Sequence, residues 1–233
     1  MKTLKLLSGG AAQGLVAQLQ GRAAEEIGCG IEGTFGAVGA MRDKLLAGEP
    51  CDIVILTQAL VDQLAACGHV AGASQKPVGV VKTGVAVKAG ATAPEVADAA
   101  SLKAALLAAR GVYFPDPVKA TAGIHFMKVL KALGVDTQLA GRLRPFPNGA
   151  TAMREMSQST ETGLIGCTQV TEILYTPGVQ LVGLLPREFE LATVYTAAVC
   201  TGAREPLAAA EFVRMLAGDE AAALRKAGGF EPV

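Results

Sequence analysis

Asp52-Ile53-Val54-Ile55-Leu56 is a continuous apolar run behind one acidic residue, which predicts a strand buried on both faces of a sheet. Stretches with helical spacing of apolar residues flank it, at 38–46 and 59–66, and glycine ends each of them. Upstream, a short apolar segment at 4–7 precedes a predicted helix at 11–27, and another strand is predicted at 31–35. Strands that alternate with helices predict a parallel sheet with right-handed crossovers.

A second alternation of strands and helices follows, bounded by two unusually long predicted strands at 78–88 and 190–201. Three shorter strands and six helices complete the pattern: strands 111–114, 162–167 and 179–183, and helices 102–109, 123–133, 150–157, 168–174, 205–216 and 218–227. If each long strand passes from one lobe to the other, the chain forms two α/β lobes. Lobe one is then expected to contain residues 1–82 plus 192–233, and lobe two residues 83–191, with a ligand cleft between them.

Composition excludes several classes of protein. Hydrophobic residues make up 51% of the chain and charged residues 18%, which is typical of a globular protein. Lys plus Arg and Asp plus Glu both number 21, and no basic cluster suggests a nucleic-acid partner. No apolar run reaches the roughly 18 residues of a membrane span. The turn after the first strand fits neither a dinucleotide-binding fingerprint nor a phosphate-binding P-loop.

The cysteines and the N-terminal residues indicate in which cellular compartment the protein is expected. Five scattered cysteines without a CxxC motif predict neither a disulfide framework nor a zinc site, and favour small buried hydrophobic residues in a reducing compartment. The first apolar segment is too short for the core of a signal peptide. We therefore expect a cytoplasmic location for the chain as written, or a periplasmic one if a leader has been removed.

The turns between strands and helices are the candidate ligand site. Backbone N–H groups at a helix N-terminus attract anions, and small residues let a ligand approach them closely. The candidate ligand-binding residues are Ser8, Gly9, Gly10, Ala11, Gln13, Gly36, Ala37, Val38, Thr57, Gln58, Thr83, Lys119, Ala122, Gly123, Asn148, Gly149, Thr168 and Gln169. No metal and no cofactor is expected, since no metal-ligand spacing or catalytic triad is present.

Two residues are candidates for acid–base chemistry. His125 falls near the start of a predicted helix, where it could exchange protons with a ligand or serve as a structural residue. Lys82 falls on the first long strand, where it could reach a carboxylate or be solvated. Both would be catalytic only if the protein is an enzyme.

Several segments resemble a known family. They are Leu45-Leu46-Ala47-Gly48-Glu49-Pro50-Cys51-Asp52-Ile53-Val54-Ile55, Asp116-Pro117, Ala122-Gly123-Ile124-His125-Phe126, Gly163-Leu164-Ile165-Gly166 and Lys226-Ala227-Gly228-Gly229-Phe230. In this order they resemble the molybdate-binding-protein family of type 2 periplasmic solute-binding proteins. The resemblance implies two lobes, each a mainly parallel sheet flanked by helices, a double-strand hinge and an anion in the cleft.

The chain departs from that family at the ligand. The positions that carry two serines, a backbone contact and a tyrosine in the family's molybdate site correspond here to Ala11, Val38, Ala122 and Gly166. Loss of these donors favours a larger, flatter anion such as a di- or tricarboxylate over molybdate. The chain resembles most the divergent branch of the family that aconitate isomerase also resembles.

Three functions remain open at this stage. The first is a binding protein for an organic carboxylate or oxyanion, whose partner would be an ABC transporter permease if the chain is exported. The second is a cofactor-independent isomerase that moves a proton within an unsaturated tricarboxylate, with Lys82 or His125 as the acid–base group. The third is a scaffold without a small ligand.

Overall fold

The computed structural model describes residues 2–233. The chain divides into two compact units: unit 1 takes the chain up to Val81 and from Thr193 onward, and unit 2 is Lys82–Ala192. The chain thus passes between the units twice, at Val81–Lys82 and at Ala192–Thr193. Among the described residues, no helix combines the length and the apolar character needed to cross a membrane.

The described chain contains nine strands and ten α-helices, which alternate for most of its length. In order they are β1 (Lys2–Gly9), α1 (Gln13–Arg22), β2 (Cys29–Gly36), α2 (Val38–Leu46), β3 (Ile53–Thr57), α3 (Gln58–Ala66), β4 (Lys76–Lys88), α4 (Ala99–Ala108), β5 (Gly111–Pro115), α5 (Thr121–Ala132), α6 (Asp136–Leu139), β6 (Leu143–Phe146), α7 (Gly149–Gln158), β7 (Leu164–Gln169), α8 (Val170–Tyr175), β8 (Val179–Leu184), β9 (Ala192–Val199), α9 (Pro206–Ala217) and α10 (Ala222–Ala227).

Unit 1 is built on a sheet whose first three strands are parallel. β1 lies between β2 and β3, and β9 pairs antiparallel with β3 on the other side. Ile53, Val54, Ile55 and Leu56 of β3 are fully buried, as their continuous apolar sequence predicts. Because β1, β2 and β3 are parallel, their carboxyl ends meet at one edge of the sheet, and a helix starts after each of them.

Unit 2 has a second mixed sheet with helices on both faces. β5 pairs parallel with β6 and β7, and β4 pairs antiparallel with β7 and β8. On one face Phe126 of α5 meets Phe114 of β5 edge to face, with ring centroids 5.5 Å apart. On the other face, Met153 of α7 packs in a cluster with Tyr113 of β5. The packing of α5 on one face and of α7 on the other positions the start of each helix relative to the ends of β5 and β6.

The sequence-based elements match the structure except at a few places. The strand β6 and the short helix α6 are not predicted from the sequence, because Arg144 and Pro145 interrupt any strand-like alternation. The helix expected from residue 168 begins at Val170, since Thr168 and Gln169 still pair in β7. The single helix expected at 11–27 is a 3-10 turn, then α1, then a π-helical turn.

All five cysteines are free thiols, and four of them are buried as expected: Cys29, Cys51, Cys167 and Cys200. The expectation is wrong for Cys67, which is exposed after the end of α3.

Candidate functional site

The carboxyl edge of β1, β2 and β3 gathers one set of the predicted ligand-binding residues within unit 1. Gly9 pairs with Gly36, and Ser8 pairs with Ile55 of β3. Ten predicted residues lie at or directly after these three strand ends: Ser8, Gly9, Gly10, Ala11, Gln13, Gly36, Ala37, Val38, Thr57 and Gln58. Their assignment to a ligand remains a prediction.

Gly9 is glycine because its surroundings leave no room for a side chain. A Cβ atom there would lie 2.8 Å from Val38 Cγ1 and 2.9 Å from Tyr195 Cε1. Beside it, the fully buried Ser8 donates its hydroxyl hydrogen to the carbonyl oxygen of Gly9 over 2.8 Å. The floor of this edge is therefore formed mainly by backbone.

The helices that begin at this edge have no side-chain caps. The residues before α1, α2 and α3 are Ala12, Ala37 and Thr57, and none of their side chains accepts a hydrogen bond from the first turn. By contrast, Asp98 caps α4 and Asn148 caps α7. The N–H of Gln13 at the start of α1 already bonds to the carbonyl oxygen of Gly10 in the preceding 3-10 turn. The uncapped first turns of α2 and α3 leave N–H donors and the positive end of the helix dipole for another acceptor, and an anion is the natural one.

Gln58 is held by other side chains of unit 1. Its Nε2 donates to Asp62 Oδ1 over 2.8 Å and to Gln75 Oε1 over 2.9 Å, while its Oε1 accepts from the hydroxyl of Thr196. These bonds fix the amide at the start of α3, so we expect Gln58 to shape the edge rather than swing toward a ligand.

In unit 2, Thr83 and Gln169 form the most distinctive polar feature. They pair directly across β4 and β7, and are only 1% and 3% exposed. Within residues 2–233, neither the hydroxyl oxygen of Thr83 nor either amide atom of Gln169 has a hydrogen-bond partner. An unpaired buried polar group costs about 1–3 kcal/mol, so such a pair calls for an additional partner.

A buried carboxyl group that the sequence interpretation missed lies beside this pair. Glu172 of α8 is 5% exposed and accepts the hydroxyl hydrogen of Thr168. The backbone N–H groups of Ala150, Gln169 and Gly149 also act on it, yet burial outweighs these bonds and raises the pKa of Glu172 above its usual value. The Glu172 carboxyl group is therefore the acceptor for the backbone N–H groups of Gly149 and Ala150 at the N-terminus of α7.

Asn148 and Gly149 are both predicted to bind ligand, but in the structure they contact other residues of unit 2 at the start of α7. Asn148 Oδ1 accepts from the N–H of Thr151 over 2.8 Å, which caps α7. A Cβ atom on Gly149 would lie 1.9 Å from both Glu172 Oε2 and Thr168 Oγ1. A signal for Glu172 existed in the sequence, since it is the one acid in the otherwise uncharged segment 170–175 and follows Thr168 by four residues.

The start of α5 is a further open helix end in unit 2. Ala120 precedes the helix and gives no side-chain cap, while Asp116 Oδ1 holds the preceding loop by accepting from the N–H groups of Val118 (2.7 Å) and Lys119 (2.9 Å). Ala122 is buried, and a Cβ atom on Gly123 would lie 2.2 Å from the carbonyl oxygen of Pro115. The helix end is thus pressed against the end of β5.

The candidate acid–base residues have protein partners. His125 lies in the second turn of α5 rather than the expected first turn, and its Nε2 bonds to the carbonyl oxygen of Phe189 over 2.8 Å. Because a carbonyl can only accept, His125 Nε2 carries a hydrogen there. Lys82 Nζ lies 3.2 Å from Glu190 Oε2. Each of the two side chains thus already has a partner within unit 2.

The structure also describes Gly166, which the sequence analysis placed at the tyrosine position of the molybdate-binding family. Gly166 lies inside β7, and a Cβ atom there would lie 2.5 Å from Met153 Cε in the core under α7. A side chain at this position would point into that core, and the expectation that Gly166 marks a missing tyrosine at the ligand stays a prediction. Ala11, Val38 and Ala122 do lie at helix starts and are buried.

Comparisons with known proteins identify the family. The family model described as bacterial extracellular solute-binding protein matches residues 4–231. The chain belongs to this family. This solute-binding protein is 27% identical over 242 residues to an aconitate isomerase from a Pseudomonas species, covering 99% of this chain and 88% of the enzyme.

Solved structures show the same fold. A periplasmic molybdate-binding protein from Azotobacter vinelandii matches with a TM-score of 0.81 and 20% identity, covering 99% of each chain. A sulfate-binding protein from Mycobacterium tuberculosis H37Rv matches with a TM-score of 0.74 and 18% identity, covering 100% of this chain and 88% of that one. The solute-binding protein thus has the type 2 periplasmic-binding-protein fold, which confirms the expectation from its sequence.

Proposed function

We propose that this solute-binding protein captures one small anion, an organic di- or tricarboxylate or an oxyanion. The observation that carries the proposal is the buried pair Thr83 and Gln169, whose polar atoms lack partners among the residues described. A bound ligand would supply those partners. The uncapped start of α5, which belongs to the same unit as this pair, would supply backbone N–H groups for its negative charge.

Neutral donors suit this role better than fixed cations. Backbone N–H groups, a hydroxyl and an amide can bind a charged ligand strongly when they are preoriented and shielded from water. Lys82 and His125 already contact Glu190 and the Phe189 carbonyl, which supports a site that depends little on them. The molybdate- and sulfate-binding proteins that share this fold support an anionic ligand.

A carboxylate is favoured over molybdate by the side chains at two helix starts. Ala11 and Val38 replace hydroxyl-bearing residues of the molybdate family in the sequence comparison, and both are buried beside the backbone floor. Each lost hydroxyl removes a donor worth about 1.5–3 kcal/mol toward a charged ligand. A longer anion can recover these donors by reaching more helix starts at once.

The proposal includes location and partner. Since the family consists of extracellular proteins, we propose that the chain works outside the cytoplasm and presents its ligand to an ABC transporter permease. Ligand capture would then shift the protein toward a liganded state that the permease recognises.

A thermal-shift screen tests the proposal. The purified protein is heated with molybdate, sulfate, phosphate, citrate, cis-aconitate or trans-aconitate, and any hit is measured by titration calorimetry. A true ligand at about 100 times its Kd should raise Tm by roughly 5–10 °C. The proposal fails if none of these anions raises Tm, or if a hit binds Thr83→Val and Gln169→Met variants as tightly as the unchanged protein.

A second candidate function is supported by the identity to aconitate isomerase, which extends over 99% of this chain. On this alternative, a base removes a proton from the carbon next to the double bond of a tricarboxylate, and the conjugate acid returns a proton to the far alkene carbon. The double bond moves, and no cofactor is consumed. Proton NMR of trans-aconitate incubated with the protein in D2O would reveal both product and deuterium incorporation.

Matched variants divide the two candidates. If turnover is seen, His125→Ala and Lys82→Met should each reduce it by about 100-fold or more if that residue moves the proton. Full turnover in either variant removes that residue as the acid–base group. Binding without turnover of any tricarboxylate rejects the isomerase and leaves the binding protein.

A further inference from the structure

The two faces of the sheet in unit 2 carry different polar groups at the carboxyl end of β7. Successive side chains of a strand point to opposite faces. Gln169 shares its face with Cys167, which belongs to the core cluster under α5. Thr168 shares the other face with Gly166, where a Cβ atom would lie 2.5 Å from Met153 Cε of α7. Gln169 therefore lies on the side of α5, and Thr168 on the side of α7.

On the α7 side, a carboxyl group fills the start of the helix. Glu172 is 5% exposed, and its Oε2 accepts the hydroxyl hydrogen of Thr168. A Cβ atom on Gly149, the first residue of α7, would lie 1.9 Å from Glu172 Oε2 and from Thr168 Oγ1, so both oxygens lie directly against the helix start. Asn148 Oδ1 accepts the N–H of Thr151 in the same turn. The first turn of α7 thus receives its acceptors from unit 2 itself.

The start of α5 is not closed in this way. Ala120, which precedes α5, provides no side-chain cap. Thr83 and Gln169 pair directly on the same face of the sheet, and their side-chain polar atoms have no hydrogen-bond partner in the described chain. The two helix starts of unit 2 therefore differ, since one has an internal carboxyl group and the other has donors left over.

The surroundings of Glu172 do not explain a carboxyl group by packing alone. Met153 of α7 and Ile173 of α8 belong to one apolar cluster beside it. The charged residues of α7 are Arg154 and Glu155, which are exposed and lie 3.8 Å from each other, Nη2 to Oε1. Burial of a carboxyl group is costly, and an apolar side chain of similar size would avoid that cost. Its retention at a helix start points to a role in the site.

We propose that Glu172 is a specificity-determining residue, whose carboxyl group occupies the start of α7 in place of a ligand carboxylate and directs an external anion to the α5 side. Unit 2 then offers one open helix start, beside Thr83 and Gln169, and binds one carboxylate group of a ligand or one oxyanion. The direction of the ligand rests on the proposed function, whereas the occupation of α7 does not. Removal of the carboxyl group should turn the start of α7 into a site for a small carboxylate.

Chemical rescue tests the occupation of α7. Acetate matches the group that Glu172→Ala removes. At neutral pH, about 100 mM sodium acetate should raise the Tm of Glu172→Ala by roughly 3 °C or more beyond its effect on the unchanged protein, with equal sodium chloride as the reference. If Glu172→Ala is unfolded in chloride, acetate should restore its folded circular-dichroism spectrum. Equal responses of the two proteins, or no refolding in acetate, would overturn the occupation of α7.

Two matched variants show whether the response belongs to this position. Glu172→Gln keeps a side chain of the same shape against Gly149, so acetate has no space to fill. Glu155→Ala removes an exposed glutamate from α7 itself. Neither should respond to acetate more than the unchanged protein does, and a response of either variant equal to that of Glu172→Ala would contradict the proposal.

Amide NMR tests where an external anion binds. Sulfate or trans-aconitate is added to the isotope-labelled, unchanged protein. We expect the N–H signals of Ala122 and Gly123 in the first turn of α5 to shift, and those of Gly149 and Ala150 in α7 to stay in place. Acetate should shift the α7 signals in Glu172→Ala.

The NMR outcomes separate this inference from the proposed function. An anion that shifts the α7 signals of the unchanged protein as strongly as the α5 signals would overturn the directing role of Glu172. No shift with either anion would overturn that role together with the proposed function, and the acetate response of Glu172→Ala would then decide the occupation of α7 by itself.

Discussion

Thr83 and Gln169 are direct neighbours across the antiparallel strands β4 and β7, and both carry polar side chains almost wholly removed from solvent. Three of their polar atoms lack hydrogen-bond partners in the described part of the chain. Natural proteins rarely retain such groups without a use, since removal of the polar atoms would stabilise the fold. The proposed anion gives them a use.

Thr83→Val and Gln169→Met should weaken anion binding without destabilising the free protein. Each replacement keeps the size of the side chain and removes polar atoms that have no partner among the described residues. We expect Kd to rise about 10- to 100-fold for each, which corresponds to one hydrogen bond to a charged ligand. Calorimetric titration gives Kd, and urea unfolding gives the free energy of unfolding of the unliganded variants.

Thr171→Val is the matched control for these two variants. Thr171 is 4% exposed and its hydroxyl also lacks a partner in residues 2–233, but it lies in α8 and is not predicted to bind. It should preserve Kd while changing stability in the same direction as Thr83→Val. Equal losses of affinity in Thr83→Val and Thr171→Val would show that any buried hydroxyl matters equally.

Gly123→Ala should destabilise unit 2, whereas Gly21→Ala should not harm unit 1. A Cβ atom on Gly123 would lie 2.2 Å and 2.3 Å from the carbonyl oxygens of Pro115 and Asp116, so α5 would have to move. We expect a loss of about 3 kcal/mol in the free energy of unfolding. A Cβ atom on Gly21 in α1 would meet nothing within 4 Å, and alanine there should add about 1 kcal/mol. Urea unfolding measures both, and a tolerated Gly123→Ala would contradict the tight contact.

Glu172 should make stability fall as pH rises through the weakly acidic range. Burial raises the pKa of Glu172 in the folded protein, so the native state holds a proton that the unfolded chain releases. Its contribution is complete below the ordinary carboxyl pKa of about 4.3 and is lost as pH rises through the folded value. The free energy of unfolding of the wild type, minus that of Glu172→Gln, should therefore decrease from acidic to neutral pH.

Glu161→Gln provides a control of opposite sign. The hydrogen bond with Arg144 lowers the pKa of Glu161, so its contribution is present above the ordinary carboxyl value and is lost as pH falls. Unfolding of all three proteins across a pH series distinguishes the two slopes. A difference between wild type and Glu172→Gln that rises with pH, or does not change, would contradict the shift.

Asp52→Ala should strongly destabilise unit 1. The 3% exposed carboxylate accepts the N–H of Lys5 over 2.8 Å and that of Arg204 over 2.7 Å, which joins β1 to the segment before α9. Loss of these charge-assisted bonds should cost about 3 kcal/mol. Asp52→Asn should lose less, and Asp62→Ala, at an exposed carboxylate, should change the free energy of unfolding by under about 0.5 kcal/mol. Thermal and urea unfolding would record these differences.

Apolar periodicity predicts most of this fold because it reports directly which faces are buried. The buried strand β3 is predicted one residue early, and α2 begins at Val38 as expected. The edge strand β6 escapes prediction because Arg144 and Pro145 carry no alternating pattern, although parallel pairing with β5 still orders them. Sequence patterns reveal burial, whereas an edge strand depends on a partner far away in the chain.

The site is harder to predict because its decisive contacts are non-local. Thr83 and Gln169 are each candidates from the sequence, but their pairing depends on β7 continuing to residue 169 rather than ending at Cys167. Glu172 gains its role from Gly149 and Ala150, which lie in another turn of unit 2. The spacing of residues along the chain cannot predict contacts between segments that are far apart in the sequence.

Because the chain crosses between the units twice, one strand of unit 1 is synthesised long after the strand with which it pairs. β9, which covers the open side of β3, is synthesised only after almost the whole of unit 2 has been translated. The apolar edge of β3 therefore waits for a partner through more than half of translation, while unit 2 is already complete as one uninterrupted stretch. Growing chains that stall directly after residue 192 should consequently expose the uncovered edge of β3, in the first unit, to chaperones or proteases.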